Sequence, residues 1–478
     1  MPPLEDYLRV APEIVAALFG VIIMVADPFV ARERRAVLAR AGVMGAGLAL
    51  AAVLLPAQYT GEAFSRLIVV DDMSVFLRLL IYGVTLLVIL ASADYLEREG
   101  RQMGEYYALV LFAAVGMGVM ASANELITAF VGLEVSSIST YVLAGFRRDA
   151  PRSNESAMKY FLLGSFATAF FLYGVAMTYG ATGTTWLRDL PAQIRTADPL
   201  LITLGFGLMF VGLAFKISTV PFHVWTPDVY EGAPSPVTAL LSTAPKAAAM
   251  AVALRIFFTA FGEVGSTWMQ LIWISAVLTM FVGNLAALAQ TNVKRMLAYS
   301  SIAHVGYLLV AVAAQSALGV AAVLFYLAAY ALMKLGAFTI VAHLGGAGER
   351  RVEIEDYAGL GWQHPAVAFC LSVYLMSLMG LPLTAGFLGK VYLLDAALKS
   401  DLVWLVVMAV INTLISAYYY LRVVRVMYFS EPRAEWPPVP VPLAVGVVLL
   451  LTAAGTLYLG IFPSDVMNWA AQAAASLR

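Results

Sequence analysis

Apolar runs long enough to cross a membrane recur along the whole chain, at about 11–29, 39–56, 73–93, 106–122, 124–145, 157–180, 200–220, 237–261, 267–289, 297–314, 318–343, 365–389, 402–428 and 440–461. An α-helix rises about 1.5 Å per residue, so roughly 20 apolar residues cover the ~30 Å hydrocarbon layer. Lipid offers no partner to a backbone amide, so such runs must close their hydrogen bonds internally, as helices. The pattern predicts an all-α polytopic membrane protein with about fourteen transmembrane helices.

Loop charges test that count. Assigning the connecting loops alternately to two sides puts sixteen Lys and Arg on one, among them Arg32, Arg147, Lys294, Arg295 and Arg433, and six on the other, among them Arg9 and Arg478. Cytoplasmic loops carry the basic excess, so the first side faces the cytoplasm and both termini lie outside. An omitted or invented span would scramble this bias.

Two spans read as broken. After Lys216, inside the seventh, Pro221, Pro227, Pro234 and Pro236 follow before Lys246. Proline removes backbone donors and interrupts helix, which at membrane depth is tolerated only where protein or a wet cavity satisfies the freed groups. The twelfth span ends in GLPLTAGFLGK, Gly380 to Lys390, which again sets a proline and glycines beside a lysine. From Lys159 to Lys216 is 57 residues and from Lys334 to Lys390 is 56, which suggests a repeat. Two units of five helices have opposite orientations because five is odd, the inverted arrangement of many transporters. The expected divisions are 1–105, a three-helix segment; 106–261 and 262–428, the two units; and 429–478, a last helix.

Composition narrows the chemistry. Hydrophobic residues make up 62% and charged residues 12%, against roughly a quarter charged in a soluble domain. A net charge of -1 argues against nucleic-acid binding. One cysteine, Cys370, and four histidines cannot supply an iron–sulfur cluster or a thiolate zinc site. Glu5 and Asp6 stand where a signal peptide would be basic, so the first helix is expected to be retained.

Of 29 Lys and Arg, seven remain outside that loop count, within or at the end of spans: Arg78, Lys159, Lys216, Lys246, Arg255, Lys334 and Lys390. A buried lysine can release its proton, whereas arginine stays charged, so the lysines suit a proton relay. Glu134 in the fifth span is the expected partner of Lys216; the plainer alternative is a static ion pair that fixes packing. Snorkelling is the alternative for Lys216, but Lys246 lies too deep for it. Lys390 and mid-span Lys334 extend the series, and His304 can bridge it or make one fixed interhelical bond. Lys159 stands near the start of its span, behind Arg152 and Glu155, within reach of the interface. Glu125 reads as a solvated cap, and His223, Asp228 and Glu231 as loop polarity or the lining of a cytoplasmic opening.

Several stretches together resemble a known family. They are APEI at Ala11 to Ile14, SNESAMKYFLLGSFATAFFLYG from Ser153, FKISTVPFHVWTPDVYEGAPSPVTALLSTAPKAAA from Phe215, NVKRMLAYSSIAHVGYLL from Asn292, and GLPLTAGFLGK from Gly380. They resemble the antiporter-like membrane subunits of respiratory complex I, the proton-pumping NADH–quinone oxidoreductase. Within that family the lysine in the twelfth helix is similar to the branch called subunit N. The resemblance implies fourteen helices, an inverted five-helix repeat, and a proton relay of Glu134, Lys216, Lys246 and Lys390, with His304, Lys334 and Lys159 as further members. It implies no cofactor in this chain, with FMN, iron–sulfur clusters and quinone in partner subunits. Other complex I membrane subunits and, through them, the peripheral arm are the implied partners, in a bacterial inner membrane. The alternative is a subunit of a multisubunit cation/proton antiporter, which shares the broken helices and lysines.

Overall fold

In the computed structural model, residues 2–262, 265–432 and 440–477 are described, and all but a short hairpin of the regular structure is helical. The N-terminal segment holds α1 (Leu4–Arg9), α2 (Ala11–Ala26), α3 (Ala36–Ala52) and α4 (Asp72–Arg98), with antiparallel strands β1 (Gly61–Ala63) and β2 (Ile68–Val70) before α4. Next come α5 (Gly104–Ser122), α6 (Leu126–Ala144), α7 (Pro151–Thr182), short α8 (Leu190–Ile194), α9 (Pro199–Ile217), α10 (Trp225–Gly232), α11 (Ser235–Ser242) and α12 (Ala244–Leu254). Then follow α13 (Gly265–Leu288), α14 (Val293–Ala313), α15 (Ala317–Leu344), short α16 (Leu360–Gln363), α17 (Pro365–Met379), α18 (Ala385–Leu398) and α19 (Val403–Phe429). The chain closes with α20 (Leu443–Ile461) and α21 (Ser464–Ala475). Arg433 and Arg478, counted above as loop charges, lie outside the described residues.

Among the described residues thirteen helical segments are long and apolar enough to span a membrane. The twelfth span is broken, as expected, into two halves, α17 and α18, of 15 and 14 residues, separated by residues 380–384. The seventh also breaks, after Ile217, and resumes at Trp225 as α10. Both first halves end in a left-handed residue, Ser218 at φ 70° and Gly380 at φ 99°, with a proline soon after, so the two stops are built alike. A third interruption was not expected. The eighth span divides at Thr243 into α11 and α12 and ends in a π-helical turn, Arg255–Ala260. Pro245 is the cause, since it cannot donate to the preceding turn.

The packing repeats. α5 lies on α6 as α13 lies on α14, α7 on α9 as α15 on α17 and α18, and α5 on α12 as α13 on α19. Lipid is as apolar as the helices, so association rests on close backbone approach at small residues. At Gly116 a Cβ would stand 2.4 Å from Ser136 N, and at Gly283 one would stand 2.6 Å from Ala303 N. α14 and α15 are buried along almost their whole length.

α4 crosses both groups. At its start Asp71, the N-cap, takes both guanidinium nitrogens of Arg255 at 2.8 and 2.9 Å. At its end Arg98 donates to the carbonyls of Ala342 and His343 in α15, each at 2.9 Å. Arg78, fully buried in the middle of α4's first half, meets Glu13 of α2 at 2.9 Å. The in-span arginines are therefore joints between helices.

Candidate functional site

The break after α9 gathers the first group of predicted residues. Lys216, in the last turn of α9, is buried and donates to Ser137 Oγ of α6 at 2.8 Å and to Tyr160 OH at 3.4 Å. Glu134 stands one turn from Ser137 on α6 and interacts with Lys216 by charge across a gap, without an ion pair of 4 Å or less between them among the described residues. Its Oε1 is buried and has no protein partner. Ser137 thus occupies the place expected for the carboxylate. The backbone freed by the break is satisfied: Thr219 N–H donates to Ala214 O and Val220 N–H to Thr279 Oγ1. Trp225 closes the corner, donating to Phe215 O at 2.9 Å and stacking on Tyr160.

Lys246, on α12, reaches back to the same break and donates to Ile217 O, the terminal carbonyl of α9, at 3.3 Å. Lys390, on α18, donates to Met379 O, the terminal carbonyl of α17, at 3.0 Å, and lies 4.7 Å from the Tyr307 ring centre. A cation at a helix C-terminus meets the negative end of the helix dipole. This corrects the correspondence drawn from spacing: Lys216 precedes its break, Lys390 follows its own, and it is Lys246 that matches Lys390 in geometry.

From Lys334 to Tyr326 runs a series of hydrogen bonds. Lys334 on α15 donates to Leu297 O at 2.7 Å and to Ser300 Oγ at 2.9 Å. Ser300 Oγ is bonded to Tyr420 OH of α19, which lies 3.0 Å from His304 Nε2, and His304 Nδ1 meets Tyr326 OH at 2.5 Å. The next contact leads toward Lys390, because Tyr326 packs against Gly389. His304 lies within electrostatic reach of Lys246, Lys334 and Lys390. Imidazole and hydroxyl each both donate and accept, which is what passing a proton along a chain requires. Ser300, Tyr420 and Tyr326 were not singled out in the sequence. Tyrosines in apolar helices are too common to mark a site; only their neighbours do.

Lys159 does not join this series. It is partly exposed and pairs with Glu155 and Asp228, each at 2.6 Å. Asp228 also meets Arg295 at 2.8 Å, and Arg295 meets Glu231 at 2.9 Å, so these residues form a surface charge network. Burial pushes the Asp228 carboxyl up, but Lys159 and Arg295 outweigh it and hold it below the usual carboxylate range. His223 is half-buried in the turn beside the break. Glu125 is a cap, as expected, but a buried one, accepting from Thr128 N–H at 2.6 Å. Lys294, taken from the sequence as a loop charge, is wholly buried at the start of α14, where Glu349 neutralises it. Among the described residues no cluster of His, Cys, Asp and Glu could hold a metal ion.

Comparison with known proteins bears on the family and fold of the chain. Residues 123–416 match the model of a family described as NADH:quinone oxidoreductase/Mrp antiporter, transmembrane. The chain is 47% identical over 477 residues to NADH-quinone oxidoreductase subunit N 1 of Solibacter usitatus (strain Ellin6076), covering 99% of this chain and 98% of that one. A chain of respiratory complex I from Thermus thermophilus with bound aureothin superposes with a TM-score of 0.82 at 36% identity, over 96% of this chain and 98% of that one. A chain of the Mrp complex from Dietzia sp. DQ12-45-1b superposes with a TM-score of 0.87 at 22% identity, over 99% of this chain and 98% of that one, which shows a shared fold alone.

Proposed function

The chain belongs to the NADH:quinone oxidoreductase/Mrp antiporter transmembrane family, and from that premise we propose that it is the subunit N of a proton-translocating NADH–quinone oxidoreductase. The hydrogen-bonded series from Lys334 through Ser300, Tyr420 and His304 to Tyr326 is the observation that carries this reading. A continuous buried chain of groups that donate and accept, with lysines at both helix breaks, suits proton transfer and offers nothing to an electron. Translocase activity therefore belongs to the assembled complex, with FMN, iron–sulfur clusters and quinone in its other subunits.

A proton from the cytoplasmic side reaches Lys246 and Lys216 at the first break. The Glu134–Lys216 attraction, relayed past Ser137, governs whether Lys216 stays charged, and the proton passes by Lys334 and His304 to Lys390 and out. Moving a charge against 100 mV costs about 2.3 kcal/mol, which quinone reduction elsewhere in the complex supplies. The recurring helix contacts support two five-helix units of opposite orientation, 106–261 and 262–428. The basic side is assigned to the cytoplasm, placing both termini on the periplasmic side of a bacterial inner membrane, beside neighbouring antiporter-like and small membrane subunits and, through them, the peripheral arm. An ion-gradient-driven cation/proton antiporter is the less supported reading: the family model covers both kinds of protein, but the chain is 47% identical to a subunit N and 22% identical to the Mrp chain.

The test is NADH-driven proton uptake by membrane vesicles carrying the complex with Lys216→Met. Loss of uptake with the complex assembled supports the reading. Uptake equal to the unsubstituted complex overturns it.

A further inference from the structure

The loop after α15 carries a second buried charge site. Gly346, Gly348 and Glu349 have φ of 67°, 76° and 51°, a left-handed turn that aims the Glu349 side chain inward. A non-glycine residue takes that conformation at a steric cost, so its aim is held against a penalty. Glu349 Oε2 meets Lys294 Nζ at 2.7 Å, and Lys294 also donates to Ala233 O at 2.6 Å. Glu349 Oε1 accepts from Ser235 N–H, at the start of α11, at 2.7 Å. Both side chains are almost completely buried. The desolvation of such a pair commonly cancels its attraction, so stability alone does not account for it.

Three features around the pair point to proton traffic. A cavity of about 370 Å³ is lined by Glu349 together with Arg147, Arg152, Glu231 and Asn292, and Arg152 at its rim is exposed. Ser235 Oγ, buried beside the pair, has no protein partner, and polar interior atoms of this kind are where buried water binds. Lys294 also heads a polar stripe on α14 that continues through Leu297 O, Ser300, Ser301 and His304 at three- and four-residue spacing. Lys334 is already bonded to Leu297 O and Ser300 Oγ, and Leu297 lies one turn, about 5 Å, beyond Lys294.

We propose that Glu349 and Lys294 form a proton inlet to the second five-helix unit, which takes a proton from cavity water and delivers it to Lys334. The inlet rests on the proton-translocating reading above. At rest the pair is carboxylate and ammonium. A proton from water converts Glu349 to the acid. Lys294, its counter-charge gone, releases its proton by way of intervening water along the α14 stripe to the neutral amine of Lys334. The Glu349 proton then moves to Lys294, which restores the pair. One N–H bond breaks and re-forms at Lys294, one forms at Lys334, and the net change is one proton moved inward from water.

The groups facing the pair are Arg147 from the loop after α6, 3.7 Å from Glu349; Glu99, 3.7 Å from Arg147; Tyr95 of α4; Glu231 of α10; and Tyr357 from the segment before α16. Burial pushes the Glu349 carboxyl up, while Lys294 and Ser235 outweigh it and hold it below the usual range, so the resting pair is charged at neutral pH.

The test compares Lys294→Arg and Glu349→Gln with Lys216→Met in the assembled complex, reading NADH-driven proton uptake in vesicles. Arginine keeps the charge and the ion pair but does not release its proton, so a static clamp survives that change and an inlet does not. Glutamine keeps an acceptor for Ser235 N–H. Both variants are expected to fall to the uptake that Lys216→Met leaves. If both pump like the unsubstituted complex while Lys216→Met does not, the pair is a clamp and the inlet is wrong. Should Lys294→Arg fail to assemble, Glu349→Gln decides by the same criterion. If Lys216→Met itself pumps normally, the proton reading of the chain fails and the inlet fails with it.

Discussion

Lys246 and Lys390 hold matching places: each donates to the last carbonyl of an interrupted helix, Ile217 O for the one and Met379 O for the other. A cap of this kind ties the charge of the lysine to the end of the helix. On the proton-translocating reading, loss of the ammonium proton would remove the favourable charge from the helix end and so couple release to the geometry of the break.

Arginine separates these two roles. Lys246→Arg and Lys390→Arg retain the cation at the helix end, whereas Lys246→Met removes an interaction of about 0.3–1 kcal/mol. The arginine variants are expected to assemble with unchanged thermal stability and to lose proton uptake, because a guanidinium stays charged. Uptake at the unsubstituted level in both would show the caps to be static.

Tyr420→Phe tests the series between Ser300 and His304. The ring and its packing remain while the hydroxyl bonded to both neighbours is gone. Transfer along the series is expected to slow on the order of 100-fold. Tyr107→Phe, which removes a bond to Gln102 away from the series, serves as the control and leaves uptake unchanged. Equal uptake in the two variants would refute the Tyr420 link.

Acid should dissolve the surface charge network around Asp228. The Asp228 carboxyl is held low by Lys159 and Arg295, so its stabilising contribution is present above its unfolded value of about 3.9 and is lost as pH falls through the lower folded value. The thermal midpoint of the purified complex should therefore show no contribution from Asp228 to its pH dependence between about pH 5 and 8. Asp228→Asn should lower the midpoint at neutral pH and narrow its difference from the unsubstituted complex as the pH falls below about 4. A variant curve parallel to the unsubstituted one at every pH would rule this out.

Arg78→Met leaves Glu13 buried without its partner, a change expected to cost about 3–5 kcal/mol. Replacing both, as Glu13→Leu with Arg78→Met, should recover most of the loss in thermal unfolding. Recovery no better than the single substitution would place the cost in packing.

Much of this was readable in the sequence, for physical reasons. A membrane-spanning helix leaves a long apolar run, and a charge inside it is conspicuous, so the spans and the buried lysines stood out. Proline after Lys216 marked the first break. Pro245 was equally visible and went unused, because an uninterrupted apolar run surrounds it. Lys294 was misplaced for the opposite reason: three residues past a polar turn it reads as a loop charge, and only Glu349, 55 residues later in the chain, reveals that it is buried. Tyr420 and Ser300 carry no signal by themselves, since their meaning lies in three helices meeting.

α4 behaves as a tie rod. Arg255 fastens one of its ends to the helix that carries Lys246, and Arg98 fastens the other to the helix that carries Lys334. Its 27 residues reach about 40 Å, so the two fastenings sit near opposite faces of the bilayer. A rod anchored this way resists sliding of α12 past α15, which leaves the short segments at the helix breaks as the compliant parts.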